Sequence, residues 1–387
     1  MLDVLLFLAI GIGLGVLAGI VPGLHPNMVI LFVPIISSLG IMPLNLIVLI
    51  VAMGVSNSIV DAIPSIFLGA PDGDNALNAM PGHKMLLAGC GYDAVKLTVV
   101  GSLASAVLLL PLVPMLFYFI PPLFHAVQAY THILVGAIAA YMILAEKSRA
   151  IGFFVFLAAG ITGVLSLKLP VDTTIILFPM MSGFFGIGGL LIAGNASLPV
   201  QKNEASVSMA SARSGIISGI AGGIASGFLP GVGASQIAAL LSSSQDDHKF
   251  LAMMGAITTT NIMVSILALW LIERGRSGIA VAIGNFAEIT VHEFMAMVFA
   301  SLIAASIASV ITLRIAKKFL EIFQNQQKLR ISIIAFILLA VTGTSGAYGI
   351  LVLFTCTALG FFAAKAGVRR GLLMGSLMVP VILFYAA

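Results

Sequence analysis

Two short stretches place polar side chains beside breaks in an otherwise apolar chain. "AGIVPGLHPNMV", Ala18 to Val29, carries Pro22, Gly23, His25 and Asn27. "SGFLPGVGASQI", Ser226 to Ile237, carries Pro230, Gly231, Ser235 and Gln236. Proline inside a helix removes a hydrogen bond and clashes with the preceding turn. Glycine allows the backbone conformations a reversal needs. A break of this kind frees N–H groups, which suit an anion, and carbonyls, which suit a sodium ion. These eight residues are therefore candidate substrate contacts.

Two further clusters lie downstream. "MGVSNSIVDAIPS" carries Ser56, Asn57, Ser58 and Asp61; "GAITTTNIMVS" carries Thr258, Thr259, Thr260, Asn261 and Ser265. Hard cations prefer oxygen ligands. Ser56, Ser58, Asp61, Thr258, Thr259 and Thr260 are accordingly candidate coupling-ion ligands, and Asn57 and Asn261 join the substrate set. Any one hydroxyl is better explained by a cross-helix hydrogen bond of about 0.6 kcal/mol, whereas the clusters beside the breaks point to function. Asp61 is a charge inside an apolar run, and such residues are functional suspects. Arg274 and Arg276 would clamp an anion or simply sit at an interface. Asp72, Asp74 and His83 read equally as a solvated loop or a site.

The elements that must position these residues follow from composition. The 387-residue chain is 60% apolar and 8% charged, against roughly 25% charged in soluble proteins. Apolar runs of about 20 residues recur, the length that crosses a bilayer as helix. The alternation of a membrane barrel is absent, which leaves helices as the spanning structure. The fold class expected is an all-α polytopic membrane protein. The start carries Asp3 and no Lys or Arg before Gly15, so the first run is expected to be retained. Cys90 and Cys356 form neither a zinc cluster nor a disulfide framework. No nucleotide loop, nucleophile elbow or metal-ligand spacing is present, so neither an enzyme nor a resident cofactor is expected beyond a sodium ion.

The chain repeats itself. Pro22-Gly23 recurs as Pro230-Gly231 at an offset of 208, and Gly11, Gly15 and Gly19 recur as Gly219, Gly223 and Gly227. Asn57 and Asn261 correspond within a few residues of that offset. Glycines at every fourth position let helices approach closely. The reading is a first repeat over 1–193, a polar linker over 194–213 and a second repeat over 214–387. Each repeat would hold a hairpin (Leu5 to Ser38; Ser214 to Ser243), a second broken segment (Gly69 to Asp93; "ERGRSGIAVAIGNFAEIT") and about five spans. In the first repeat these are Leu44–Leu68, Ala94–Phe117, Thr131–Ala145, Ile151–Leu167 and Thr174–Ala193. In the second they are Phe250–Ile272, Val291–Ile315, Ile331–Thr344, Gly346–Ala363 and Gly371–Tyr385. Five is odd, so the second repeat is inverted. Lys84, Lys96, Lys147, Arg149, Lys202, Arg213, Lys249, Arg314, Lys317, Lys318, Lys328, Arg330, Lys365, Arg369 and Arg370 then share one side, the cytoplasmic one by the positive-inside rule. Both chain ends lie outside.

At these residues the chain resembles the TctA family, the large membrane subunit of tripartite tricarboxylate transporters. The resemblance covers nearly the whole chain. It rests on the Gly-rich leads into "VPGLHPN" and "LPGVGAS", on "GAPDGDNALNAMPGHKMLLAGCGYDAVKLTVVGSLAS", on "TTTNIMVS" and on "LFPMMSGFFGIGGLL". It implies secondary uptake of carboxylates driven by a sodium or proton gradient, with a small membrane subunit and an extracytoplasmic binding protein as partners. The chain is shorter than typical members and reads as a stand-alone relative. "NALNAMPGHK" and "LIERGRSG" depart from the family's wording at the presumed substrate loops, which leaves a different anion open.

The function expected is a secondary active transporter of an organic anion in the cytoplasmic membrane of a prokaryote, working between the two broken hairpins. The alternative is a translocase of a lipid-linked phosphate carrier such as a polyprenyl phosphate. A scaffold subunit is a third class, which has little use for polar, broken helices in lipid. Partners expected are the anion or lipid phosphate, membrane lipids and, as an open case, a second copy in a homodimer, but no nucleic acid.

Overall fold

The computed structural model describes residues 2–21, 40–67, 79–191, 201, 208–229, 232–241, 246–275, 277–322 and 326–386. Every regular element among them is helical. Seven described helices are long and apolar enough to cross a membrane, and three shorter apolar ones cover 131–144, 175–190 and 370–386. The protein is an all-α, multi-pass membrane protein.

The first group is α1 (Leu2–Ile20), α2 (Pro43–Val60), α3 (Ala62–Phe67), α4 (Ala79–Leu87), α5 (Gly91–Leu109) and α6 (Val113–Gln128). α2 is buried on every side over nearly its whole length, as befits a central helix. Proline at its first turn starts it without losing a bond. α2 and α3 fill the expected span Leu44–Leu68, with one turn residue, Asp61, between them. The expected span Ala94–Phe117 runs on to Gln128. Pro111 and Pro114 replace α-helix by a 3-10 turn over Leu110–Leu112, and the chain continues as α6.

α7 (Thr131–Leu144), α8 (Arg149–Ser166) and α9 (Thr173–Met181) follow, and α9 continues through a π-helical turn at Ser182–Ile187 to Leu190. The next elements are α10 (Met209–Phe228), α11 (Ala234–Leu241), α12 (Asp247–Ile272), α13 (Gly278–Gly284) and α14 (Val291–Ile322). Asp246 caps α12, accepting from the N–H groups of His248 (3.0 Å) and Lys249 (3.2 Å). α15 (Gln326–Lys365) covers the two expected spans 331–344 and 346–363, with Gly346 between them at φ 55°, ψ −144°. A straight helix of that length would reach about 60 Å, twice the hydrocarbon core of about 30 Å. The glycine divides it into two segments of crossing length. A 3-10 turn at Arg370–Met374 leads into α16 (Gly375–Ala386).

Within lipid, helices associate through close packing rather than through water exclusion. α1 packs on α2, α10 on α12, α5 on α12 and α14 on α2. α8 and α16 pack together, as do α9 and α15. Three contacts keep α5–α6 and α12 in step. Lys84, ahead of α5, meets Asp247 at the start of α12. Gly101 meets the carbonyl of Ala252. Phe117 meets Trp270, ring centroids 5.3 Å apart. The two therefore run in the same direction. At the Lys84 end, Phe67 packs on Phe319 near the end of α14, centroids 5.4 Å apart.

Candidate functional site

Glycine ladders set the site's frame. A Cβ placed on Gly11, Gly15 or Gly19 would lie 2.4, 2.3 and 3.0 Å from the carbonyl oxygens of Leu49, Met53 and Asn57. On Gly219, Gly223 and Gly227 it would lie 2.6, 2.8 and 3.0 Å from those of Met253, Ile257 and Asn261. The rungs rise together, so α1 runs parallel to α2, and α10 parallel to α12. The rung numbers also show that the two pairs are built alike. Only glycine lets backbones come this close.

Because α1 and α2 are parallel, the chain that leaves Val21 re-enters at Gly40 near the level where α1 began. α10 and α12 are related in the same way. Pro22, Gly23, His25, Asn27, Pro230 and Gly231 fall in these connections and lie outside the described residues, as do Asp72, Asp74 and Arg276. Ser235 and Gln236 are in α11, where only the backbone of Ser235 is described. Gln236 is buried, and its Oε1 accepts from the N–H of Gly233 (2.9 Å), bracing the chain that enters α11.

The polar residues of α2 divide between two faces. Ser56 and Val60 point at the ladder: a Cβ on Gly15 would meet Ser56 Cβ at 2.8 Å, and one on Gly19 would meet Val60 Cβ at 2.7 Å. Thr260 meets Gly223 in the same way, at 2.4 Å. The hydroxyls of Ser56, Thr259 and Thr260 are fully buried, with no hydrogen-bond partner among the described residues. The tightness around Ser56 and Thr260 makes their first contact a helix backbone. Ser58 and Thr258 satisfy their hydroxyls within their own helices, on Val55 (2.9 Å) and on Met254 and Gly255 (3.2 and 3.1 Å).

The other face carries Gly54, Asn57, Asp61 and Ser65 at helical spacing. Asn57 and Asp61 are buried, at 4% and 5% exposure, deep within a span. Asp61 holds the turn by donating its backbone N–H to Asn57 (2.9 Å) and accepting from Ser65 N–H (3.2 Å). Ser65 is fully buried, and its hydroxyl has no partner among the described residues. On α12 the matching positions are Thr258, Asn261 and Ser265. Ser265 Oγ accepts the N–H of Ser277 (2.6 Å), which draws the chain back from the end of α12. The retreat is about 10 Å, the rise from Ser265 to Ile272. Ile279 then fills the space at Gly54, its Cδ1 1.8 Å from where a Cβ would stand. The short helix α13 thus reaches the middle of α2, one turn from Asn57. Arg274 does not join this group. It is exposed in the turn that follows α12, after Glu273 at φ 53°.

Gly54, Ser65 and the Ser265–Ser277–Ile279 contact were not singled out as site residues from sequence. Gly54 and Ser65 do fall at helical spacing with Asn57 and Asp61, and that signal was available. The fold of α13 onto α2 had no local signal.

Likeness to known proteins decides the lineage. Residues 5–375 match the family described as "Tripartite tricarboxylate transporter TctA family". The chain belongs to the TctA family. This TctA chain is also similar to an uncharacterized protein of Methanocaldococcus jannaschii, MJ1079. The two are 29% identical over 402 residues, covering 98% of each chain. No solved structure matches. Membership makes the protein a membrane component of transport, consistent with its helical spans.

Proposed function

We propose that this TctA member is a secondary active transporter that moves an organic anion of the carboxylate class across the cytoplasmic membrane, driven by a sodium or proton gradient. Its substrate site lies between the breaks at Pro22-Gly23 and Pro230-Gly231, with Asn57 and Asn261 facing it. The observation that carries the reading is the duplication of one glycine-laddered pair, α1/α2, as α10/α12, the two helices of each running parallel so that the chain between them returns to its starting level. Paired interrupted segments are how transporters expose backbone to a substrate within lipid.

In this reading, repeats 1–193 and 214–387 are inverted relative to each other and joined by 194–213. The end of α3 supports this. A Cβ on Gly91, where α5 begins, would lie 3.3 Å from the Phe67 ring, so α5 sets out from where α3 stops. α5 runs parallel to α12, which makes α2 and α12 opposite. The same end gathers Lys84, Arg213, Lys249, Lys317 and Lys318, a basic side that is cytoplasmic by the positive-inside rule. Both chain ends then face outward. The family match favours a carboxylate and adds nothing to the lipid-phosphate alternative. A small membrane subunit and an extracytoplasmic binding protein are the partners this reading expects.

The test is uptake of labelled di- and tricarboxylates into proteoliposomes under an imposed sodium or proton gradient. Gradient-dependent uptake of at least one is expected. Uptake of none under either gradient sinks the reading.

A further inference from the structure

The corner between α4 and α5 is held from outside its own repeat. Gln201, in the segment that joins the halves, bonds both sides of it: Oε1 accepts from the N–H of Gly91 (3.0 Å) and Nε2 donates to the carbonyl of Leu86 (3.3 Å). Lys84 Nζ lies 2.7 Å from Asp247 Oδ2, on the first turn of α12. The corner itself turns through Gly89 at φ 83°.

What the corner holds in place is α4, and α4 covers the end of the polar face of α2 and α3. His83 Nδ1 donates to the carbonyl of Ile66 (3.1 Å), and a Cβ on Gly82 would meet the Ile66 side chain at 2.5 Å. Ser65, the last polar residue of that face, is directly before Ile66. The row of buried polar residues Asn57, Asp61 and Ser65 therefore ends beneath α4 at the basic end of the molecule.

We propose that Gln201 and the Lys84–Asp247 pair form a clasp that holds α4 closed over the basic end of the transport path, so that release of the clasp opens that end. The proposal rests on the transport reading for its purpose and on the corner's own contacts for its geometry. Both holds are of modest strength: the ion pair is largely exposed, at 72% and 26% for the two side chains, and such pairs contribute little. A clasp that must open in each cycle needs weak holds of this kind. Gln201 acts here as a positioning residue.

The protein carries its own reporter. Cys90 sits in the corner and is partly exposed, whereas Cys356 is fully buried. The experiment measures labelling of Cys90 by a membrane-impermeant maleimide in inside-out vesicles, without substrate, with Cys90→Ser as the blank. Gln201→Ala and Asp247→Lys are each expected to raise the labelling rate about threefold, the scale of an exposed pair. The exchange Lys84→Asp with Asp247→Lys is expected to return it toward wild type, which mere unfolding would not do. Unchanged labelling in both single variants overturns the proposal, and so does an exchange variant that labels as fast as Asp247→Lys alone. Because labelling is read without substrate, a wild type that takes up no carboxylate defeats the transport reading while the clasp is still decided here.

Discussion

Asn57 and Asn261 occupy the same place in the two glycine-laddered pairs: each backbone carbonyl lies 3.0 Å from where a Cβ on Gly19 or Gly227 would stand. The two asparagines therefore share a backbone register, not just a residue type. Each lies one position past a hydroxyl that faces the ladder, Ser56 or Thr260, so its own side chain is turned about 100° away from the glycines. Close packing is handled by one face, and the neighbouring face is left for polar work.

If Asn57 and Asn261 contact the substrate, Asn57→Ala and Asn261→Ala should each lower uptake about tenfold or more, the scale of a lost hydrogen bond to a charged group. Elution as a folded species should be unchanged. Both variants transporting at wild-type rates would remove these residues from the site.

The ladder should tolerate no methyl group. Gly15→Ala brings a Cβ to 2.3 Å from the Met53 carbonyl, and overpacking of this kind costs about 1–3 kcal/mol. Gly13 lies on the same helix with no described residue within 4 Å of its Cβ position, so Gly13→Ala should change stability by less than about 1 kcal/mol. Thermal unfolding in detergent separates the two.

Gly54 and Ile279 should be energetically coupled. Gly54→Ala clashes with Ile279 Cδ1, the atom that Ile279→Val deletes. The valine alone should cost about 0.5–1.5 kcal/mol. Combined with Gly54→Ala it should cost less than the two single changes added together. Additive costs would mean α13 does not rest on α2 at this point.

Asp246 should give the start of α12 a pH dependence. The Ser211 hydroxyl, followed by the backbone N–H groups of Lys249 and His248, holds its carboxyl below the ordinary 3.8, against a smaller opposing effect of burial. A depressed value means that its stabilising share is fully present above 3.8 and is lost as pH falls through the lower folded value. Asp246→Asn keeps the cap without the charge and should flatten that part of the melting-temperature profile. Asp246→Ala should lose about 1 kcal/mol at neutral pH.

Much was determined by the sequence alone. Helical membrane class follows from composition, because lipid leaves the backbone no other open-ended way to satisfy itself. The glycine spacing announced close helix pairs, and the pairs formed at those glycines, because a missing Cβ acts wherever the helix lands. The helical segments were legible to within a few residues, except where α14 ran on seven residues past Ile315 and where Pro111 and Pro114 turned α5 into α6 without ending the helical run. Tertiary structure alone decided which glycine meets which carbonyl, since a ladder's partner is not written in its own spacing. It also decided that Ser56 and Thr260 face backbone while Asn57 and Asp61 face away, that Arg274 stands apart at a helix end, and that α13 folds back onto Gly54. Each of these depends on contacts between residues far apart in the chain, where local pattern carries no information about rotation or depth.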